Sequence, residues 1–463
     1  MTSRTSTAFN AASAPDGLPM PRRFWAIVTL MVSLAIASLD VTMANVALPA
    51  IAADLGIEPR KVVWVMITYN VTMLVTLLPL SALAERIGFR RMFVIGISLF
   101  MFWAIAVALS TSFTMLLVAR AIQAVGTSML MCMFGGLVRN IYPASQLGFG
   151  VSLNSLMVSV MAVLGPTVGA FIIEWLSWQW MFFLYIPACI ATYFGVRFLP
   201  DVPPVNRPFD WLACGLSALA LGLFVIGLDL LVSSTGWALG ALVVAGFAGV
   251  LLYRRSRGQD APVVPLDLLR VKPVAYAVGA SATVFAGQTT AFVAFPFYLI
   301  NGLGYGYAEV GILMGGWAIG SAIMAPVAGY LSDRYPVAIL CGIGASFSAA
   351  GLLWIVLMPM GASLFITWLP MLAGGLGFGF FQSPNNRAML GGAPRHRSGA
   401  AGGLQATTRV FGQSVGTALA ALSFQAGGQY GAQVAIGVGI TLALSALVIN
   451  IVRHVDPSAG RDI

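Results

Sequence analysis

Four charged side chains stand inside otherwise apolar runs of this sequence: Asp40, Arg120, Asp229 and Arg409. A charge in a bilayer is rare and expensive, about 2.5–3.5 kcal/mol at a helix centre, so each needs a reason. Asp40 lies about eight residues from one end of its run, ~12 Å deep at 1.5 Å per residue. Arg120 lies about six residues into its own run, ~9 Å deep. The two have opposite sign and similar depth. A carboxylate that alternates between an arginine and a proton can couple transport to a proton gradient, because the cation sets its pKa. A static ion pair that only cancels two charges is the competing reading. Asp229, near the end of its run, reads as a solvated helix end. Arg409, with Asn385, Asn386 and Gln413, can line a cavity or make helix-to-helix hydrogen bonds. Asn45, Tyr69, Asn70, Gln123 and Gln288 are further polar groups in apolar helices and candidates to face that cavity.

The elements that must hold these groups are long apolar helices. Of 463 residues, 59% are hydrophobic and 8% charged, with mean hydropathy +0.91. A soluble domain runs nearer half apolar and a quarter charged. That excludes a water-soluble enzyme, a disordered chain and a nucleic-acid binder. A membrane-crossing helix needs roughly 20 apolar residues. Such stretches occur at 24–48, 62–84, 92–112, 114–138, 150–173, 178–199, 211–231, 236–253, 274–300, 308–331, 337–357, 364–388, 401–423 and 433–452. The fold class expected is an all-α polytopic membrane protein with fourteen transmembrane helices.

Charge then orients the chain. Twenty of the 24 Lys and Arg fall on one side, with only Arg60 and Lys61 opposite and Arg120 and Arg409 inside spans. Positive residues collect in the cytoplasm, so both termini are expected there. Four scattered cysteines and two histidines outside the apolar runs offer neither a disulfide framework nor a metal site. No GxxxxGK[ST] loop is present, so ATP-driven pumping is excluded, and coupling must come from an ion gradient or from the substrate's own gradient; no cofactor is expected, with the proton as the candidate coupling ion.

Two turns repeat. SALAERIGFRR (81–91) follows the second span and GYLSDRYPVAIL (329–340) follows the tenth. The simplest account is a bundle of six helices at 24–199, two inserted helices at 211–253, a linker at 254–273 and a second bundle at 274–452. Tails at 1–23 and 453–463 flank them. Repeated helical bundles are what alternating-access transporters are made of. In the loops, Glu85 with Arg86, Arg90 and Arg91, and Asp333 with Arg334, can form charge pairs that break when the halves rock. Gly88 shapes the first turn. In LGPTVGA (164–170), Pro166 removes a backbone hydrogen bond while Gly165 and Gly169 allow close helix approach, a bendable contact expected at the seam between halves. Trp178 and Trp180 fit an interfacial aromatic belt.

These motifs resemble the major facilitator superfamily, and within it the fourteen-helix drug:proton antiporter branch of multidrug efflux type. LDVTMANVALP (39–49) is similar to that branch's first-helix signature. SALAERIGFRR resembles the superfamily's loop motif, with Ser81 for its glycine and Glu85 for its aspartate. LLVARAIQAVG (116–126) resembles the fourth-helix motif, with Ala124 for its first glycine, and LGPTVGA the fifth-helix antiporter motif. WQWMFFLYIP (178–187) and QSPNNRAML (382–390) are similar to further stretches. The resemblance implies a major facilitator fold and a role for Arg120 in proton coupling. It also implies proton-coupled export of amphipathic drug-like molecules; export of a specific metabolite such as an acid, sugar or siderophore is the alternative. The expected partners are the small-molecule substrate and the lipid bilayer, with no nucleic acid and a monomeric transport unit. The resemblance also implies the bacterial inner membrane, where relatives in Gram-negative bacteria often work with a periplasmic adaptor and an outer-membrane channel; the sequence leaves such partners open.

Overall fold

The computed structural model describes residues 17–457 apart from 58, 63, 203–208, 232–233, 258, 260–261, 263 and 395–396. The side chains of Asn45, Pro166 and Asp229 lie outside the described residues, as do most of the tails. Among the described residues, fourteen long helices follow one another: α1 (Arg22–Asp54), α2 (Trp64–Ile87), α3 (Phe89–Ala108), α4 (Phe113–Ile141), α5 (Leu147–Trp175) and α6 (Gln179–Phe198, interrupted at Leu184). Then come α7 (Trp211–Leu230), α8 (Thr235–Ser256), α9 (Lys272–Phe297), α10 (Tyr307–Ser332), α11 (Val337–Val356), α12 (Leu364–Gly391), α13 (Ser398–Gly427) and α14 (Gly431–Val455). Among the described residues, 12 stretches are long and apolar enough to cross a membrane, one of them covering both α13 and α14. This is compatible with fourteen spans, and the chain is a multi-pass membrane protein.

Helix is the form that lets a chain satisfy its own backbone in lipid. For that reason the helices run past the apolar stretches that announce them. The span expected at 24–48 becomes a helix to Asp54, and that at 236–253 runs through Arg254 and Arg255 to Ser256, where cations suit a helix C-terminus. Starts are marked by side-chain caps: Ser112 accepts from the Met115 N–H at 3.3 Å, Asp210 from Ala213 at 3.0 Å and Ser363 from Ile366 at 3.4 Å.

The first six helices pack on one another, as do α9–α14, and the two groups meet where α5 lies on α10 and where α13 lies on α2 and α4. The inserted α7 packs on α2 and on α13, its Phe224 stacking on Phe411 with centroids 5.3 Å apart. Its partner α8 leaves Trp237, Val243 and Phe247 exposed, as a lipid-facing helix does. One face of the molecule carries the starts of α1 and α9 and the end of α14: Arg22 donates to the Phe198 and Leu199 carbonyls, and Lys272 pairs with Asp456 at 3.1 Å. It is called the terminal face below.

Candidate functional site

The apolar environment of α1 and α4 leaves Asp40 and Arg120 nowhere to find water, and the fold brings them together. Arg120 Nη1 donates to Asp40 Oδ1 at 2.8 Å and Oδ2 at 3.0 Å, and both side chains are fully buried. The same Nη1 reaches Gln123 Oε1 at 2.8 Å, and Gln123 Nε2 lies 3.4 Å from Asp40 Oδ1. The guanidinium lies over the Tyr69 ring at 4.2 Å and near Phe182 at 5.6 Å, and Tyr69 Oη donates to Thr127 Oγ1 at 2.8 Å. Arg120 Nε and Nη2 have no hydrogen-bond partner; the aromatic faces stand in for one. Gln123 is therefore not a cavity residue, as the sequence suggested. One turn beyond Arg120, it shares that helix face and joins the ion pair.

A separate polar cavity lies roughly three turns of α4 closer to the terminal face, at Met131 and Phe134. Asn154 of α5, Gln382 and Asn386 of α12, and Gln405 and Arg409 of α13 line it, among apolar Leu34, Val158 and Phe285. It measures about 20 Å³, room for a water or two. Asn385 turns away and donates to the Ala277 carbonyl of α9 at 2.9 Å, so it is a helix-to-helix contact and not a lining group. Gln413, one turn beyond Arg409, is exposed, and Asn70 and Gln288 are half-buried.

Below the cavity the halves are locked at the terminal face by two equivalent devices. Glu85, on the last turn of α2, accepts from Arg397 Nη1 at 3.1 Å and from the Ala400 N–H at 2.8 Å, in the first turn of α13. Asp333, at the end of α10, accepts from the Gly148 N–H at 3.1 Å, in the first turn of α5, and pairs with Arg387 at 3.0 Å. Helices α2 and α10, like α5 and α13, hold matching places in the two bundles. The repeated turns thus put an acid on the exposed N–H groups of the opposite bundle's helix, where the helix dipole favours it. Burial raises the Asp333 pKa above the ordinary carboxylate value, with Arg387 opposing the shift. Arg397 also holds Asp267 of the linker at 2.9 Å. Arg139, at the end of α4, donates to the Leu390 carbonyl at 2.6 Å and to that of Ala393, among the free carbonyls ending α12.

These partners correct the local pairs that the sequence suggested. Among the described residues, none of Arg86, Arg90 and Arg91 pairs with Glu85, and Arg334 stacks on Tyr330 at 4.5 Å instead of pairing with Asp333. Local arginines sit in water, whereas Arg397 is buried where an acid is worth more. Gly88 starts α3 at φ 90°, ψ 140°, a backbone only glycine adopts freely. Gly165 and Gly169 are also displaced from the expected seam: a methyl on Gly165 would strike Thr42 of α1, and one on Gly169 Met181 of α6. The seam of α5 is instead Gly148, Ser152 and Ser159, against Ser332, Gly329 and Ser321 of α10. Nor does Trp178 sit in an interfacial belt; it is buried and donates to Asp54 Oδ2 at 2.9 Å, while Trp180 is exposed.

Against known proteins, the profile of the Major Facilitator Superfamily matches residues 30–417. The chain belongs to the major facilitator superfamily. Members are transporters rather than enzymes. The chain is 38% identical to the uncharacterized transporter YebQ of Escherichia coli K12, over 96% of this chain and 98% of YebQ. It is 27% identical to the riboflavin transporter RibZ of Clostridioides difficile, over 86% and 88% of the two chains. The tetracenomycin C resistance and export protein of Streptomyces glaucescens is 26% identical over 90% and 78%. Among solved structures, the human organic anion transporter MFSD10 (TETRAN) superposes with a TM-score of 0.67 at 14% identity, over 94% of this chain and all of that one. This last likeness speaks for the superfamily fold.

Proposed function

We propose that this superfamily member is a proton-coupled exporter of amphipathic small molecules, working by alternating access in the bacterial inner membrane. The observation that carries the proposal is the fully buried Asp40–Arg120 pair. A carboxylate kept from water and held by one arginine nitrogen is a proton site that opens only when the bundles rearrange. Proton binding releases Arg120, and arginine return expels the proton. The interlocks of Glu85 and Asp333 suit a gate at the terminal face, which the charge bias assigns to the cytoplasm, so the conformation described is closed inward. The similarity to the tetracenomycin C resistance and export protein supports drug-like cargo. A specific metabolite is the second reading, supported by the name of RibZ and by the amides and arginine lining the cavity. The transport unit is one chain in the bilayer, with an adaptor and outer channel as further partners to test.

The test is a growth-inhibition panel in a drug-sensitive host, with and without a protonophore. Protection that depends on expression of the chain and disappears with the proton gradient supports the proposal. Protection insensitive to the gradient refutes coupling.

A further inference from the structure

The charges of the central cavity are opposite to those of a site built for cations. We infer that the cavity binds substrates carrying an anionic group, a carboxylate or comparable oxyanion, with Arg409 as its counter-ion and Asn154, Gln382 and Asn386 as flanking hydrogen-bonding groups. This deepens the exporter reading above and rests on it for the direction of transport and for the rearrangement that widens the cavity, which holds only a water or two in the conformation described.

Three observations carry the inference. First, Asp40 is not available to a substrate: it is fully buried, with both oxygens on Arg120, roughly three turns away along α4. The acids of the terminal face are likewise engaged, Glu85 with Arg397 and Asp333 with Arg387. Second, Arg409 enters the cavity without a carboxylate partner among the described residues; its recorded contact is the Met131 sulfur, 3.7 Å from Nη2. It stands ~16 Å along α13 from the terminal face, near mid-membrane. A cation at that depth without a counter-charge is costly, and an incoming anion removes the cost. Third, the neighbouring polar groups are buried amides, each carrying an N–H₂ donor: Asn154 is 8% exposed, and Asn386 and Gln382 are each 5% exposed. Their N–H₂ groups can join Arg409 on an oxyanion, while Phe285 and Leu34 offer an apolar wall to the rest of the molecule. A guanidinium takes a carboxylate through two parallel N–H bonds, a geometry an ammonium lacks.

A single acid inside a span would suit neutral or monocationic cargo. The structure removes that acid from the cavity and leaves the arginine.

The test uses three probes with one apolar body: 1-naphthoate, 1-naphthamide and 1-naphthylmethylammonium. Binding to the full chain in nanodiscs is measured by the rise in unfolding temperature, for the wild type, Arg409→Gln and Arg409→Lys. The wild type should bind naphthoate about tenfold or more tightly than the amide, and the ammonium least, as a charge-assisted hydrogen bond implies. Arg409→Gln should abolish the preference and keep the amide's affinity, showing that the cavity still forms, and Arg409→Lys should keep part of the preference. A wild type that does not favour naphthoate, or an Arg409→Gln protein that still does, overturns the inference. Binding needs no proton gradient, so a failure of coupling would leave this result unchanged, and loss of anion preference would leave coupling untouched.

Discussion

Neutralising one member of the buried pair should cost more than neutralising both. At 2.8 Å, a unit charge pair is worth about 6 kcal/mol at an effective dielectric of 20. Desolvation of both ions cancels much of this. When Asp40→Asn removes only the carboxylate, Arg120 keeps its charge, 0% exposed, with Gln123 and two aromatic faces as neighbours. Breaking a buried pair in this way costs about 3–5 kcal/mol. Arg120→Gln should cost a similar amount by stranding Asp40. The double variant buries two neutral amides of nearly the same volume and should lose only about 1–2 kcal/mol, for the hydrogen bonds and ring stacking that Arg120 gave up. The costs should therefore fall short of additivity by about 3 kcal/mol or more. Cys132, Cys189, Cys214 and Cys341 are all buried and form no disulfide, so a thiol-reactive fluorophore reports unfolding without an introduced cysteine. The expected order of unfolding temperatures is wild type, then the double variant, then both single variants. Additive losses, or a double variant that is the least stable, would refute a coupled ion pair at this site.

Weakening the terminal-face interlock should open the cavity from that face. Glu85→Gln should raise labelling of a cysteine placed at Gln405 by an impermeant maleimide about tenfold, because a charge-assisted bond of about 1.5 kcal/mol or more is lost; unchanged labelling would deny the gate. In the second bundle, Gly344→Ala would set a methyl 2.5 Å from the Phe381 nitrogen and should cost about 1–3 kcal/mol of stability. Gly240→Ala on α8 meets nothing within 4 Å and should be neutral or slightly stabilising; both are read from unfolding temperatures. Asp210, outside the spans, has its pKa lowered to about 2, chiefly by the hydrogen bond from Arg255. A depressed carboxylate pKa stabilises above the ordinary value near ~3.9 and is lost as pH falls through the folded-state value. Amide-exchange protection at Ala213, whose N–H Asp210 accepts, should hold at about pH 4 and fall as pH drops through about 2.

The helices and the ion pair were legible in the sequence for one reason: both are exceptions to, or products of, a strong apolar background. Asp40 and Arg120 stand out because so few charges sit inside spans, and shared depth is enough to suggest that they meet. The same logic missed the interlocks. Glu85 has three arginines within six residues, yet its partner Arg397 is 312 residues away. Nothing in local spacing marks that partner, because its value comes from burial at a helix start in the opposite bundle. Gln123 was assigned to the cavity although its i+3 spacing from Arg120 already places both on one helix face. Gly165 and Gly169 pack closely against Thr42 and Met181 and not at the seam between bundles, because small residues do not say which neighbour they admit. The charge of the cavity was beyond reach, since it depends on which acid is already taken.

The most direct test of the account is proton movement on substrate addition. Inverted membrane vesicles are energised until acridine orange is quenched, and a compound selected by the growth panel is then added. The wild type should release protons, seen as dequenching, and Asp40→Asn at equal expression should not, while still binding the compound. Full dequenching by the Asp40→Asn protein would contradict the central claim and leave Asp40 a static partner of Arg120.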